Sequence, residues 1–305
     1  MRVLSCLGLC IGFGCASATE APPSAAPTPS LRAQRPEALV QGAMRAARSG
    51  DLERALKLAR AAVSADPKLE EAHLLIGSSC AQLGDLACAQ EAYEQGLQAL
   101  PRSSELLRER GLLRLQSGQT EAAVQDLEEA VALDPGAESQ IDLGFAYLFA
   151  EQADRALALS ARSVETDPAC FLCWMGRGEI TSRLGESQAA VEAYRKAQAL
   201  EPQDMGARSG LARALFQTEN FAESHGLYRA LVTEDPEDGR LRVQAAQAAM
   251  AAGAPDEAVA HLEYLAGANP EDVALFQYLL QAQEAAGDTE GATATKGRLR
   301  ELQND

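Results

Sequence analysis

Small side chains recur at two places in a frame of about 34 residues. The first place reads Ala43, Gly77, Gly111, Gly144, Gly178, Ala212 and Ala246, until Leu280 breaks the series. The second reads Ala55, Ala89, Ala123, Ala156, Ala190, Ser224, Ala258 and Ala292. Four residues after the second place stands a large apolar side chain: Tyr93, Leu127, Tyr194, Tyr228 and Leu262. Between the two small places comes Gly50, Gly84, Gly118, Gly185, Gly253 or Gly287, with Glu151 and Glu219 in the remaining units. Pro67, Pro101, Pro135, Pro168, Pro202, Pro236 and Pro270 close the periods, at gaps of 34, 34, 33, 34, 34 and 34 residues.

Each period predicts two antiparallel helices. Glycine in the left-handed conformation ends the first helix. The residue before a proline is pushed out of helical geometry, so the second helix stops at Asp66, Asp134, Asp167, Asp235 or Asn269. The paired small residues let the two helices approach closely, and the large residue fills the gap to the next hairpin. A fixed period of this length marks a repeat array in which neighbours bury each other's apolar faces. The units are 36–69, 70–103, 104–136, 137–170, 171–204, 205–238, 239–272 and 273–305. The fourth lacks one residue between Pro135 and Gly144, which predicts a tighter turn there. The eighth carries Lys296, Arg298, Arg300 and Glu301 on its second helix, a polarity suited to a terminal cap facing water.

Composition agrees with an all-α chain. Hydrophobic residues make up 47%, dominated by Ala, while aromatics are only 5%. Such a mixture favours helices over strands. The formal net charge of −17 argues against nucleic acid or an anionic lipid surface as the main partner. It also helps solubility.

The first residues read differently. Val3 to Phe13 is apolar, follows Arg2 and is too short to span a bilayer, which is the pattern of a secretory signal. Two endings compete. Cleavage after Ala16-Ser17-Ala18 would release a soluble protein from residues 1–18. Gly14-Cys15 resembles a bacterial lipoprotein box, in which residues 1–15 form the signal and Cys15 is acylated. Gly12 and Phe13 depart from that box. Residues 16–35, with Pro22, Pro23, Pro27 and Pro29, read as a disordered tether and favour the lipoprotein.

The phased positions resemble the tetratricopeptide repeat. Trp174, Gly178, Ala190, Tyr194, Ala197 and Pro202 of the fifth unit follow its pattern, and the resemblance covers residues 36–305. It implies an α-solenoid of about eight helix-turn-helix units wound into a right-handed superhelix. It also implies a concave face lined by the first helices, where family members hold extended peptides or partner helices. The residues that would face this groove are Leu112, Phe145, Phe149, Met175, Arg213 and Phe216, with Leu115, Ile141 and Leu148 around them and Arg108 and Arg183 interspersed. An apolar patch rimmed by charge marks a binding site. Packing between adjacent first helices competes as a reading for Phe145 and Leu148, and core burial for Leu112 and Ile141. The Lys and Asn of the family's carboxylate clamp are absent, since Val40, Met44, Leu74 and Ser78 occupy those places.

Chemistry is sparse. Cys80 and Cys88 flank Gly84 by four residues each, so a disulfide across that hairpin competes with two small buried thiols. Cys170 and Cys173 form a C-x-x-C at a helix start. A local structural disulfide or two free thiols is expected, because redox motifs of this kind work beside strands that this chain lacks. A thiol-redox factor built on that pair is the rival function. His73, His225 and His261 lie in different units, so no metal, cofactor or acid–base site is expected. The reading is a non-enzymatic scaffold in the bacterial envelope that binds a protein or peptide. Contact with membrane would run only through a lipid on Cys15, and a soluble adaptor is the alternative.

Overall fold

The computed structural model describes residues 35–304. Sixteen helices follow one another, with no strand among the described residues. The first unit pairs α1 (Pro36–Arg48) with α2 (Leu52–Ala65), the second α3 (Glu70–Gln82) with α4 (Leu86–Ala99). The third pairs α5 (Ser104–Gln116) with α6 (Thr120–Leu133), the fourth α7 (Ala137–Phe149) with α8 (Ala153–Thr166). The fifth pairs α9 (Phe171–Arg183) with α10 (Ser187–Leu200), the sixth α11 (Met205–Gln217) with α12 (Phe221–Glu234). The seventh pairs α13 (Gly239–Ala251) with α14 (Pro255–Ala268), and the last α15 (Val273–Ala286) with α16 (Thr289–Asn304). The architecture is an all-α solenoid of eight hairpins.

One turn closes every hairpin. The Asp51 N–H donates to the Ala46 carbonyl at 2.9 Å, and the equivalent bond recurs in every unit, to Asp288 and Gln283 at 2.9 Å in the last. The residue ahead of the donor is left-handed in all eight units. Six are glycines, but Glu151 (φ 58°) and Glu219 (φ 61°) adopt it too. An L side chain pays for that conformation in steric strain.

In the first seven hairpins the small pair lies inside, as the sequence predicts. Ala43 and Ala55 are buried, and Gly111 lies so close to Leu127 that a methyl group there would stand 2.7 Å from its side chain. Where Ser224 replaces alanine, its buried hydroxyl donates to the Ala212 carbonyl at 2.8 Å, so the polar atom carries no unmet bond. The large residue that follows wedges between units. The buried Tyr194 ring fits between Gly178 of its own unit and Gly210 of the next, where added methyl groups would come within 2.8 and 2.5 Å of it.

The junctions between units share a second device. A side chain in the first turn of the next helix donates back to the carbonyl of the ladder proline. Trp174 Nε1 reaches Pro168 at 2.9 Å, Arg242 Nε reaches Pro236 at 2.7 Å, and Gln140 Nε2 reaches Pro135 at 2.6 Å. His73 Nε2 lies 2.9 Å from the Pro67 carbonyl. In the shortened fourth unit α7 starts two residues after Pro135 instead of three, and its cap is Gly136, which offers no side chain. Ser103, Asp204, Asp238 and Asp272 each accept a backbone N–H at the equivalent place.

The third unit holds the most buried carboxylate. Asp126 accepts from Arg110 at 2.7 and 2.8 Å and from Arg114 at 2.6 Å, tying α6 to α5.

Candidate functional site

First helices touch first helices along the array: α1 with α3, α3 with α5, α5 with α7, α7 with α9, and α9 with α11. Among the described residues no two second helices are in comparable contact. The closer spacing on one side curves the stack, so the first helices form the concave layer and the second helices the outer one.

The thirteenth residue of each unit, which ends the first helix in seven of them, is exposed in all eight. Arg48, Gln82, Gln116, Arg183, Gln217, Ala251 and Ala285 occupy seven of these places. The eighth is Phe149, whose exposure of 62% is the largest of any bulky apolar residue described. One turn back on the same face lies Phe145, half-buried. The Arg183 guanidinium caps its ring at 5.0 Å from the centroid.

From Arg183 a polar run crosses into the next unit. Arg183 Nε donates to Glu179 at 3.0 Å, and Glu179 also accepts from the Tyr194 hydroxyl at 2.9 Å and from Arg213 at 2.7 Å. Burial works against ionisation of Glu179, but the bonds from Arg183, Tyr194 and Arg213 overcome it and hold the carboxyl below its usual range. Burial, together with the Glu179 charge, pushes the Tyr194 phenol up.

The remaining groove residues named from the sequence are less free. Leu112 is half-buried. Met175 packs on the cluster that contains Tyr194 and Leu211. Phe216 is half-buried, with its ring edge-on to Phe221 at 5.2 Å, across the hairpin turn of its own unit. Leu172, Met205 and Val243 are exposed apolar residues on first helices, and the sequence reading passed over them. It also passed over Glu179, which fixes both arginines.

A second feature lies nearer the N-terminal end. A cavity of about 460 Å³ opens between the first helices of units one to four. Met44, Leu74 and Leu75 give it apolar surface, and Glu71, Glu105, Glu109 and Glu138 surround that surface. Three of its lining residues, Met44, Leu74 and Ser78, stand at the places the family's carboxylate clamp would occupy.

Cys80 is bonded to Cys88 and Cys170 to Cys173, with Cα–Cα separations of 5.7 and 5.3 Å. The second bond sits at the start of α9, where Cys170 Sγ also accepts the Cys173 N–H. Cys15 and its alternative Ala18 lie outside the described residues. Among the described residues no three His, Cys, Asp or Glu side chains are grouped to hold a metal ion. No helix among them is long and apolar enough to cross a membrane.

Three family models described as tetratricopeptide repeat match residues 40–89, 76–142 and 157–304. The human protein O-mannosyl-transferase TMTC1 is 29% identical over 131 residues, which is 42% of this chain and 15% of that protein. The chain thus spans a small part of that relative's length. A tetratricopeptide repeat protein from Parabacteroides merdae superposes with a TM-score of 0.57 at 18% identity, covering 88% of this chain and 98% of its own. PilW, titled a widely conserved type IV pilus biogenesis factor, superposes with a TM-score of 0.59 at 20% identity, covering 68% and 97%. At these identities the likeness shows the fold.

Proposed function

The chain belongs to the tetratricopeptide repeat family, and we propose that it is a scaffold without catalytic activity that holds a polypeptide segment of another protein on its concave face. Members of this family act generally as protein–protein interaction scaffolds. The observation that carries the reading is Phe149. A large aromatic side chain stands exposed at the thirteenth place, which is exposed in every unit, beside a ring already capped by an arginine. Aromatic and Arg residues are the types enriched at interface centres. A segment laid across units three to six would cover Phe149 and Phe145 and run past Leu112, Met175, Arg213 and Phe216.

The setting we propose is the bacterial envelope, with the array tethered to the outer membrane through a lipid on Cys15 and facing the periplasm. The leader-like start and the Pro-rich stretch after it support this. The likeness to PilW supports a role in assembling an outer-membrane machine. A soluble secreted or periplasmic adaptor, cleaved after Ala18, is the alternative.

Two experiments test these statements. Affinity capture from the native envelope fraction is compared between wild type and Phe149→Ala and read by mass spectrometry. The scaffold reading expects a partner that the variant no longer holds, and a variant retaining every partner would sink it. Mass spectrometry of the mature N-terminus expects a diacylglyceryl group on Cys15, whereas a free Thr19 amine would refute the anchor.

A further inference from the structure

We propose that the cavity between the first helices of units one to four docks a polypeptide segment that sets a Lys or Arg side chain beside an apolar one. The inference rests on the scaffold reading and adds a second contact region with its own chemistry, N-terminal to Phe149.

The charges carry the argument. Five carboxylates crowd this end of the concave face: Glu71, Glu105, Glu109 and Glu138 at the cavity, and Asp142 behind it. One cation, Arg108, serves them. Its guanidinium reaches Glu138 at 2.7 Å, Glu109 at 3.1 Å and Asp142 at 3.5 Å. Among the described residues neither Glu71 nor Glu105 has a salt-bridge or side-chain hydrogen-bond partner. Burial pushes the carboxyls of Glu109 and Asp142 up; Arg108 pulls them down, and neighbouring carboxylates push them up again. Elsewhere on this molecule buried carboxylates are matched with cations, as Asp126 is by two arginines. Here one arginine among five carboxylates leaves a net negative charge at the cavity.

The apolar surface narrows the guest. Met44, Leu74 and Leu75 are half-buried and lie between the carboxylates. A free metal ion or a small amine would neutralise charge but leave that surface wet. A Lys or Arg stem packs along apolar surface while its head reaches charge, and a neighbouring apolar side chain would cover the rest. Acidic peptides and nucleic acid are repelled by the same field.

The probe is a fluorescein-labelled nonapeptide of Gly and Ser carrying one Leu flanked by two Lys, with Leu→Ser and Lys→Glu counterparts. Binding to the full chain is read by fluorescence anisotropy at low and moderate salt. The Lys-Leu probe should bind at least tenfold more tightly than either counterpart, and more weakly as salt rises. The variant Glu71→Gln/Glu105→Gln/Glu138→Gln should lose at least tenfold. All three residues are exposed, so it should fold, as a far-UV CD melt would check. A control with the same change in net charge, Glu165→Gln/Glu192→Gln/Glu263→Gln on the outer helices, should bind like wild type. No binding of the probe, equal binding of the Lys→Glu counterpart, or equal losses in the two triple variants would each overturn the proposal. The native partner separates the two readings. Capture that needs Phe149 but ignores the cavity variant overturns this inference and leaves the scaffold reading standing.

Discussion

Two of the eight hairpin turns force a glutamate into a conformation that glycine takes freely, and exchanging the two residue types should change stability with opposite signs. Glu151 and Glu219 sit at φ 58° and 61°, where the other six units place glycine at φ 72–80°. The left-handed conformation costs an L residue about 1–2 kcal/mol. Glycine avoids that cost but loses more backbone entropy on folding, about 0.5–1 kcal/mol. The difference leaves about 0.5–1 kcal/mol gained for each of Glu151→Gly and Glu219→Gly. The sites lie in units four and six and share no partner, so the gains should add to about 1–2 kcal/mol. Gly118→Ala, at the same place in unit three, should lose about 1 kcal/mol by the same argument. A methyl group there meets no atom within 4 Å, so the loss would come from the backbone alone. Urea unfolding followed by CD reads all three, by the shift in midpoint at unchanged slope. A lowered midpoint for the double variant, or a raised one for Gly118→Ala, would refute the reasoning.

Further outcomes follow from other parts of the array. Asp126→Asn should cost about 3 kcal/mol in urea unfolding, because it leaves Arg110 and Arg114, each about one-fifth exposed, without their shared charge; a loss below about 1 kcal/mol would mean the pair is not structural. Thiol titration of the oxidised protein in denaturant should find none of Cys80, Cys88, Cys170 and Cys173 reactive until reductant is added, and a reactive pair would contradict the bonded geometry. Glu109→Gln should stabilise the free protein at neutral pH. Its carboxyl is raised in the fold, so its contribution is full below the ordinary carboxylate range and lost as pH rises through the raised value. The gain in melting temperature should shrink as pH falls, and a variant less stable than wild type at pH 7 would show the sign is wrong.

The fold was legible because its determinants are local. The left-handed turn, the residue before proline and the small pair act within one hairpin, and each repeats seven or eight times. The face was less legible because it is made between hairpins. Phe149 and Phe216 look alike in sequence, each near the end of a first helix. They occupy the thirteenth and twelfth places of their units, about 100° apart around the helix. The twelfth place turns toward the hairpin, where Phe221 receives Phe216. The thirteenth turns out, and Phe149 stays exposed. The Glu179 network joins residues of two units, and the acidic cavity needs four units to exist. The carboxylates of that cavity read in sequence as ordinary solvated helix faces. Only the curvature of the stack brings them to one place and leaves Arg108 alone among them.

Site-specific photo-crosslinking reads the concave face most directly. A benzophenone amino acid replaces Phe149 in the full chain, and in a parallel protein it replaces Lys196, exposed on the outer helix α10. Both are irradiated in cells that make the protein. The account predicts a covalent adduct with another polypeptide from position 149 and none from position 196. An adduct from position 196 with none from position 149 would place the partner on the outer face and contradict the account.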